Sequence, residues 1–122
     1  MNSKDLHRLE HIIEHANDLQ LFLSQINGNF STYTDNPLYF NAINMSIAQI
    51  GELANGLTEE FREETKSQIP WNSVRRMRNV LIHEYANVDA EQVWVTAQND
   101  IPALVRFCKE ILEKSGYYKL RS

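Results

Sequence analysis

A chain of 122 residues with a net charge of −4 has the length of one domain and lacks the positive charge with which many proteins hold nucleic acid over a broad surface. Hydrophobic residues make up 43% of the chain, which excludes the composition of a disordered protein. The single cysteine, Cys108, excludes an internal disulfide bond and argues against a cysteine-based metal site. We therefore expect one folded domain over residues 1–122, in a reducing compartment.

The amino-terminal segment carries charged side chains at short intervals, including Lys4, Asp5 and Arg8. A signal peptide requires an uninterrupted apolar core, and a membrane helix requires roughly 20 apolar residues in succession. Neither pattern occurs, so the sequence predicts a cytoplasmic protein without a membrane partner.

Apolar residues in the first part of the chain recur at steps of three and four, the spacing of one apolar helical face. We expect a first helix that begins after an N-cap at Ser3. It should end at Asn27-Gly28-Asn29, because glycine tolerates the left-handed conformation that often follows a helix. The apolar positions of this helix are Leu6, Leu9, Ile12, Ile13, Ala16, Leu19, Leu23 and Ile26.

Asn36-Pro37 predicts the start of a second helix, with asparagine as the cap and proline at the first helical position. Gly51 lies inside this helix at a cost of about 1 kcal/mol relative to alanine, so we expect a neighbouring helix to approach closely there. A short extra helix is predicted from Glu59 to Lys66.

A third helix is predicted from about Trp71 to about His83. Asp89 is the expected N-cap of a fourth helix, with Gln92 as its capping-box partner, and Pro102 should interrupt that helix with a kink. Four amphipathic helices with short connections, plus the extra short helix, predict an all-α fold built as an antiparallel four-helix bundle.

The segment from Arg78 to Tyr85 places a permanent cation, an imidazole and a phenol within eight residues. Histidine can give or take a proton near neutral pH, and a guanidinium matches phosphate oxygens with paired donors. These groups suit RNA cleavage by the neighbouring 2′-hydroxyl, a reaction that needs no metal. Arginine and histidine five residues apart are nevertheless weak evidence by themselves, because most such pairs are surface charge.

Helical geometry adds a condition to this interpretation. On a continued helix Tyr85 lies above Arg78 and His83 lies above Asn79. Arg78 and His83 diverge by about 140° on a regular helix, so they meet on one phosphate only if the helix ends near His83 or a second chain contributes. One histidine near Arg78 also favours a symmetric dimer, which would supply a second.

The run Arg78-x4-His83-x-Tyr85 resembles the R-x4-H-x-Y signature of HepT-like toxins in the HEPN superfamily. Shorter stretches that resemble the same family follow in order over most of the chain: HIIE at 11–14, IGE at 50–52, IPW at 69–71, VD at 88–89 and NDIP at 99–102.

This resemblance implies a HEPN-like bundle that acts as a homodimeric, metal-independent endoribonuclease toxin without a cofactor. It implies RNA as the substrate, with transfer RNA as the class, and it makes Arg78 and His83 catalytic and Asn79 auxiliary. It also implies a type VII-like system with a cognate minimal nucleotidyltransferase as antitoxin. That partner would silence the toxin by adding AMP to Tyr85, where the negative adduct would exclude substrate phosphate by occupancy and repulsion.

Other residues are open to two interpretations. Arg75 and Arg76 are candidates for RNA contact, although exposed helix arginines are the commoner explanation of a short basic cluster. Glu52 could orient Arg78 across the bundle or be an exposed carboxylate without a partner. Trp71 and Trp94 fit core or interface anchors better than base-stacking platforms.

Spacing alone leaves further alternatives. His7, His11 and His15 recur every four residues, which could hold a metal, but a solvated polar stripe is favoured and we predict no metal site. Tyr85 could simply be a half-buried aromatic near a helix end. The chain could be a non-catalytic, nucleotide- or substrate-binding subunit of a nucleotidyltransferase, or a helical dimerisation domain, but a pure binding partner has no need for the His83 imidazole.

Overall fold

The computed structural model describes residues 2–117, and the regular elements in this range are all helical. The all-α class predicted from the sequence is therefore confirmed. A 3-10 turn (Tyr85–Asn87) and a π-helical turn (Thr96–Asp100) occur late in the described chain. The α-helices, in order, are α1 (Ser3–Gln25), α2 (Phe30–Asp35), α3 (Pro37–Gly56), α4 (Glu59–Thr65), α5 (Trp71–His83), α6 (Ala90–Val95) and α7 (Ile101–Lys114).

The long helices α1, α3, α5 and α7 form the predicted bundle, in which α1 packs on α3 and α7 while α3 also packs on α5. Contacts at the helix ends show that α1 and α3 run in opposite directions. Asp5, near the start of α1, accepts hydrogen bonds from the N–H and hydroxyl of Thr58, just beyond α3, at 2.9 and 2.7 Å. Tyr39 near the start of α3 lies beside Gln25 at the end of α1.

Polar residues begin the helices largely where they were predicted. Asn36 and Asp89 cap α3 and α6 with their side chains. The prediction for α1 was wrong by one residue: Asn2 rather than Ser3 is the cap, because its amide oxygen accepts the N–H of Lys4 at 2.7 Å.

No sequence pattern predicts α2, a helix of six residues that depends on tertiary contacts. Asn29 caps it by accepting the N–H of Thr32 at 2.9 Å. The ring of Tyr33 is fully buried and stacks on Trp94, with 5.4 Å between ring centroids. Its hydroxyl donates to the amide oxygen of Asn44 at 2.6 Å, and burial raises the pKa of Tyr33 far above its usual range.

Trp71 is a core residue and Trp94 is partly buried against the core, so both act as the packing anchors that were predicted. Trp94 belongs to the aromatic cluster around α2, and Trp71 is 3% exposed at the start of α5. The indole N–H of Trp71 donates to the hydroxyl of Thr65 at 2.8 Å. Since a buried indole needs such a partner, this bond anchors the first turn of α5 to α4.

The chain around Pro102 departs from a single regular helix. The π-helical turn (Thr96–Asp100) lies directly before α7, and Pro102 occupies the first turn of that helix, where its missing N–H needs no partner. The interruption predicted near Pro102 is thus a change of helical hydrogen-bonding pattern. Gln92 donates its backbone N–H to Asp89 at 3.3 Å, but no reciprocal side-chain bond completes a capping box within residues 2–117.

None of the helices described between residues 2 and 117 has both the length and the apolar character needed to cross a membrane.

Candidate functional site

The candidate site lies along the line of contact between α3 and α5, which we call the α3–α5 seam. Three hydrogen-bonded pairs mark this line from one end to the other, and their order shows that the two helices are antiparallel. The pairs are Asn41 with Tyr85, Glu52 with Arg78, and Asn55 with Arg75.

Gly51 brings the two helices together at the middle of the seam. A methyl group at this position would lie 2.4 Å from Cβ of Arg78 and 3.1 Å from the carbonyl oxygen of Val74. Real Cβ atoms do not approach other atoms this closely, so the residue must be glycine for α5 to pack as it does. The predicted close approach of a neighbouring helix at Gly51 is confirmed.

Next to Gly51, the guanidinium of Arg78 is oriented by two hydrogen bonds. Its Nε–H donates to Oε2 of Glu52 at 2.6 Å, and Nη1 donates to the amide oxygen of Asn79 at 2.9 Å. Glu52 is therefore the partner of Arg78 across the seam, which the sequence had left undecided. A guanidinium has five N–H donors, so three remain without a hydrogen bond to any residue from 2 to 117. These three can bind the oxygens of an incoming phosphate.

His83 is the last residue of α5, and its side chain is exposed. Its imidazole makes no hydrogen bond with any other residue in the range 2–117. The N–H of Glu84 still donates to the carbonyl oxygen of Val80 at 2.9 Å, so the helical arrangement holds through His83. Both nitrogens of the imidazole are consequently available to a substrate or to a second chain.

The structure does not join Arg78 to His83 by a contact. His83 is five positions beyond Arg78, which on a helix corresponds to about 7.5 Å along the axis and about 140° around it. Asn79 and His83, four residues apart on the same helix, share one face as predicted. One chain thus presents the cation and the imidazole on widely separated sides of α5, so a single phosphate can contact both groups only if a second chain contributes one of them.

The predicted end of the third helix near His83 is confirmed, so Tyr85 lies on the following turn and not on α5 itself. Its side chain nevertheless reaches α3, as that of Arg78 does. Glu84 leaves the helix with φ −127° and ψ 33°, and Tyr85 begins the 3-10 turn. The Tyr85 ring packs edge-on against Phe40, with centroids 5.6 Å apart, and its hydroxyl donates to the amide oxygen of Asn41. The tyrosine is therefore turned towards α3, with 40% of its surface exposed.

Asn41 is a site residue that the sequence reasoning missed. The sequence could have identified Asn41 by its spacing from Glu52, since eleven residues correspond to about three helical turns and place both side chains on one face of α3.

The two other arginines of α5 point to different sides of that helix. Arg75 lies in the seam, where its Nε–H donates to the amide oxygen of Asn55 at 2.9 Å. Arg76 instead lines a groove of about 440 Å³ between α5 and the chain from α6 to α7, together with Asp89 and Asp100. Only Arg75 of this pair is thus placed beside Arg78.

The remaining titratable residues that the sequence singled out lie elsewhere. On α1, His11 pairs with Glu14 at 2.9 Å and the His7 ring packs against Tyr117. Within residues 2–117 no three His, Cys, Asp or Glu side chains are grouped so as to hold a metal ion. Burial raises the pKa of the Cys108 thiol to about 12, so this thiol stays protonated and is a poor nucleophile.

Comparison with known proteins matches this chain to one family and to relatives that carry ribonuclease names. Residues 7–111 match the family model described as "Ribonuclease HepT-like". The "Putative RNase" of Caldanaerobacter subterraneus subsp. tengcongensis is 36% identical over 107 residues, which cover 87% of this chain and 92% of that protein. The "Probable ribonuclease HepT" of Thermococcus cleftensis is 36% identical over 63 residues, 52% of this chain and 56% of the relative. No solved structure gives a significant match. The matched range 7–111 includes every residue of the α3–α5 seam.

Proposed function

Because the chain belongs to the Ribonuclease HepT-like family, we propose that it is a metal-independent endoribonuclease toxin whose substrate is RNA, with transfer RNA as the class. The observation that carries this proposal is that Arg78 and His83, both on α5, have hydrogen-bonding groups left free for a substrate. Arg78 is oriented by Glu52 with three donors left over, and the imidazole of His83 is exposed without a partner. Asn79 supports Arg78 as an auxiliary residue, and Arg75 and Arg76 are proposed to contact RNA outside the reacting phosphate.

The proposed reaction is cleavage by the neighbouring 2′-hydroxyl. The 2′-oxygen forms a bond to phosphorus as its proton passes to an imidazole, and the bond from phosphorus to the 5′-oxygen breaks as that oxygen gains a proton. The products are a 2′,3′-cyclic phosphate and a 5′-hydroxyl end. Arg78 stabilises the negative charge that grows on the phosphate oxygens in the transition state.

Two proton transfers favour two imidazoles, so we propose that the active form is a homodimer joined across the α3–α5 seam. Met45 and Ile82 fall on this face by their helical spacing from Asn41 and Arg78, and they are 54% and 47% exposed. A second copy packed across the seam would cover both apolar side chains. It would also bring a second His83 to the site.

The dimer proposal predicts that Ile82→Glu produces a monomer that has lost most of its RNA cleavage, because a carboxylate cannot be buried there without a partner. Sedimentation velocity at micromolar concentration, combined with a cleavage assay, is the measurement. Leu21→Glu is the matched control, since Leu21 is 54% exposed on α1, away from the seam. An Ile82→Glu chain that remains a fully active dimer would contradict the proposed interface.

We further propose that a minimal nucleotidyltransferase antitoxin silences the chain at Tyr85. The phenol oxygen would attack the α-phosphorus of ATP, pyrophosphate would leave, and the phenol proton would pass to a base on the antitoxin. The exposed edge of Tyr85 supports access by such an enzyme. Mass spectrometry after incubation with the antitoxin and ATP locates the adduct, and equal AMP transfer to the Tyr85→Phe chain would reject this residue as the acceptor.

Cleavage itself is tested with purified, unmodified protein and total transfer RNA in excess EDTA, with fragments separated on a denaturing gel. We expect fragments that end in a 2′,3′-cyclic phosphate. The doubly substituted Arg78→Ala/His83→Ala chain, purified identically, controls for contaminating nucleases and should produce none. Intact RNA in both reactions, with mass spectrometry showing no AMP on the protein, would instead favour a non-catalytic subunit that binds nucleotide.

A further inference from the structure

We propose that Asn41 is a positioning residue of this site: it anchors the turn after α5 to α3 and thereby fixes the backbone from which His83 projects. The inference rests on the proposed ribonuclease function for its activity readout. It starts from the hydrogen bond that the Tyr85 hydroxyl donates to the Asn41 amide oxygen.

The carboxyl-terminal end of α5 has few other attachments. Trp71 and Leu81 are the buried residues of this helix, and from Ile82 to Asn87 every side chain is exposed. Tyr85 is the residue of this stretch whose side chain reaches α3, through Asn41 and the ring of Phe40. A helix end held by so few contacts frays readily, so loss of one contact should loosen it.

Only Glu84 lies between Tyr85 and His83, so movement of the turn is transmitted directly to the last turn of α5. Two backbone hydrogen bonds close the turn. The N–H of Asn87 donates to the carbonyl oxygen of Glu84 at 2.9 Å, and the N–H of Val88 donates to the carbonyl oxygen of Tyr85 at 3.4 Å. These two amides therefore report whether the turn is intact. At the end of the turn away from His83, Val88 is partly buried. At the end next to His83, the bond from Tyr85 to Asn41 attaches the turn to α3.

The same bond gives the proposed modification a second effect. Once the phenol oxygen is bonded to phosphorus it carries no hydrogen, so a modified Tyr85 cannot donate to Asn41. AMP at this position would then release the turn in addition to blocking the substrate.

The test is a double-mutant cycle with Asn41→Ala, Tyr85→Phe and the combined variant, in which each substitution removes one partner of the bond. Loss of a bond that contributes about 1 kcal/mol should lower kcat roughly fivefold in each single variant, with little change in KM. The combined variant should be no slower than either single one, because both remove the same interaction. Asn17→Ala, on the exposed surface of α1, is the matched control and should cleave like wild type.

Amide hydrogen exchange provides a readout that does not require activity. Exchange at Asn87 and Val88 should become faster in both single variants, while thermal melting shows that the fold persists. Asn41→Ala with wild-type kcat and unchanged exchange would overturn the inference, as would effects of the two substitutions that simply add. If the wild-type chain cleaves no RNA, the proposed function fails, and the exchange measurement still decides whether Asn41 anchors the turn.

Discussion

His83→Ala is expected to lower the rate of RNA cleavage by about 10²- to 10⁴-fold, the range over which a positioned acid or base accelerates proton transfer. The reason is that the imidazole of His83 is the proton-transfer group in the proposed mechanism. The measurement is the cleavage rate at saturating enzyme on one transfer RNA. Stability should change little, because the side chain is exposed and makes no hydrogen bond within the described residues 2–117.

His11→Ala separates this role from a general effect of removing a histidine. His11 lies on α1, where it contacts Glu14, and it belongs to none of the three pairs of the seam, so its loss should leave the cleavage rate as it is. Equal rates for the wild-type and His83→Ala chains would eliminate the proposed mechanism. A large loss in the His11 variant would point to an unrecognised role of α1.

Gly51→Ala is expected to reduce the free energy of unfolding by about 1–3 kcal/mol, the usual cost of inserting a methyl group into a well-packed contact. For a chain of this length the melting temperature should fall by roughly 4 to 12 °C. The added Cβ would overlap Cβ of Arg78 at 2.4 Å, so α5 must move away from α3. Cleavage should fall as well, because that movement pulls Arg78 away from Glu52. Thermal unfolding and the RNA assay measure the two effects.

Gly56→Ala is the matched control on the same helix. A Cβ at this position would lie 2.8 Å from Nε of Arg8, near the end of a flexible side chain that can move aside. Alanine also favours a helix over glycine by about 1 kcal/mol, so this variant should be as stable as wild type or slightly more stable. Identical changes in melting temperature for the two alanine variants would show that the seam does not require glycine at position 51.

The sequence predicted those parts of the fold that local rules govern. Apolar periodicity identified the long helices, and Asn36-Pro37 and Asp89 marked two of the helix starts because capping is a local interaction. The helix α2 was missed because its six residues form no periodic pattern and are stabilised by burial of Tyr33 against Trp94. Contacts of this kind depend on the packed structure and have no local signature.

The candidate site was only partly predictable for a similar reason. Arg78, Asn79, His83 and Tyr85 were identified by a motif, but the partners of two of them lie far away in the sequence. The pairing of Glu52 with Arg78 depends on the relative positions of α3 and α5, which close packing at Gly51 determines. The end of α5 near His83 was predicted, but the partner of Tyr85, Asn41, lies on another helix and could not be identified from the motif.

The one-sided packing of α5 also affects how the protein unfolds. This helix packs mainly on α3, with Trp71 also against α4 and α7, and it fully buries only Trp71 and Leu81, whereas α1 buries eight residues. Cooperative units with little buried apolar surface open at a lower free energy than the rest of a domain. The helix that carries Arg78 and His83 should therefore detach in brief openings that leave the packing of α1, α3 and α7 intact. In such an intermediate the residues of the candidate site would be dispersed while the domain remained folded.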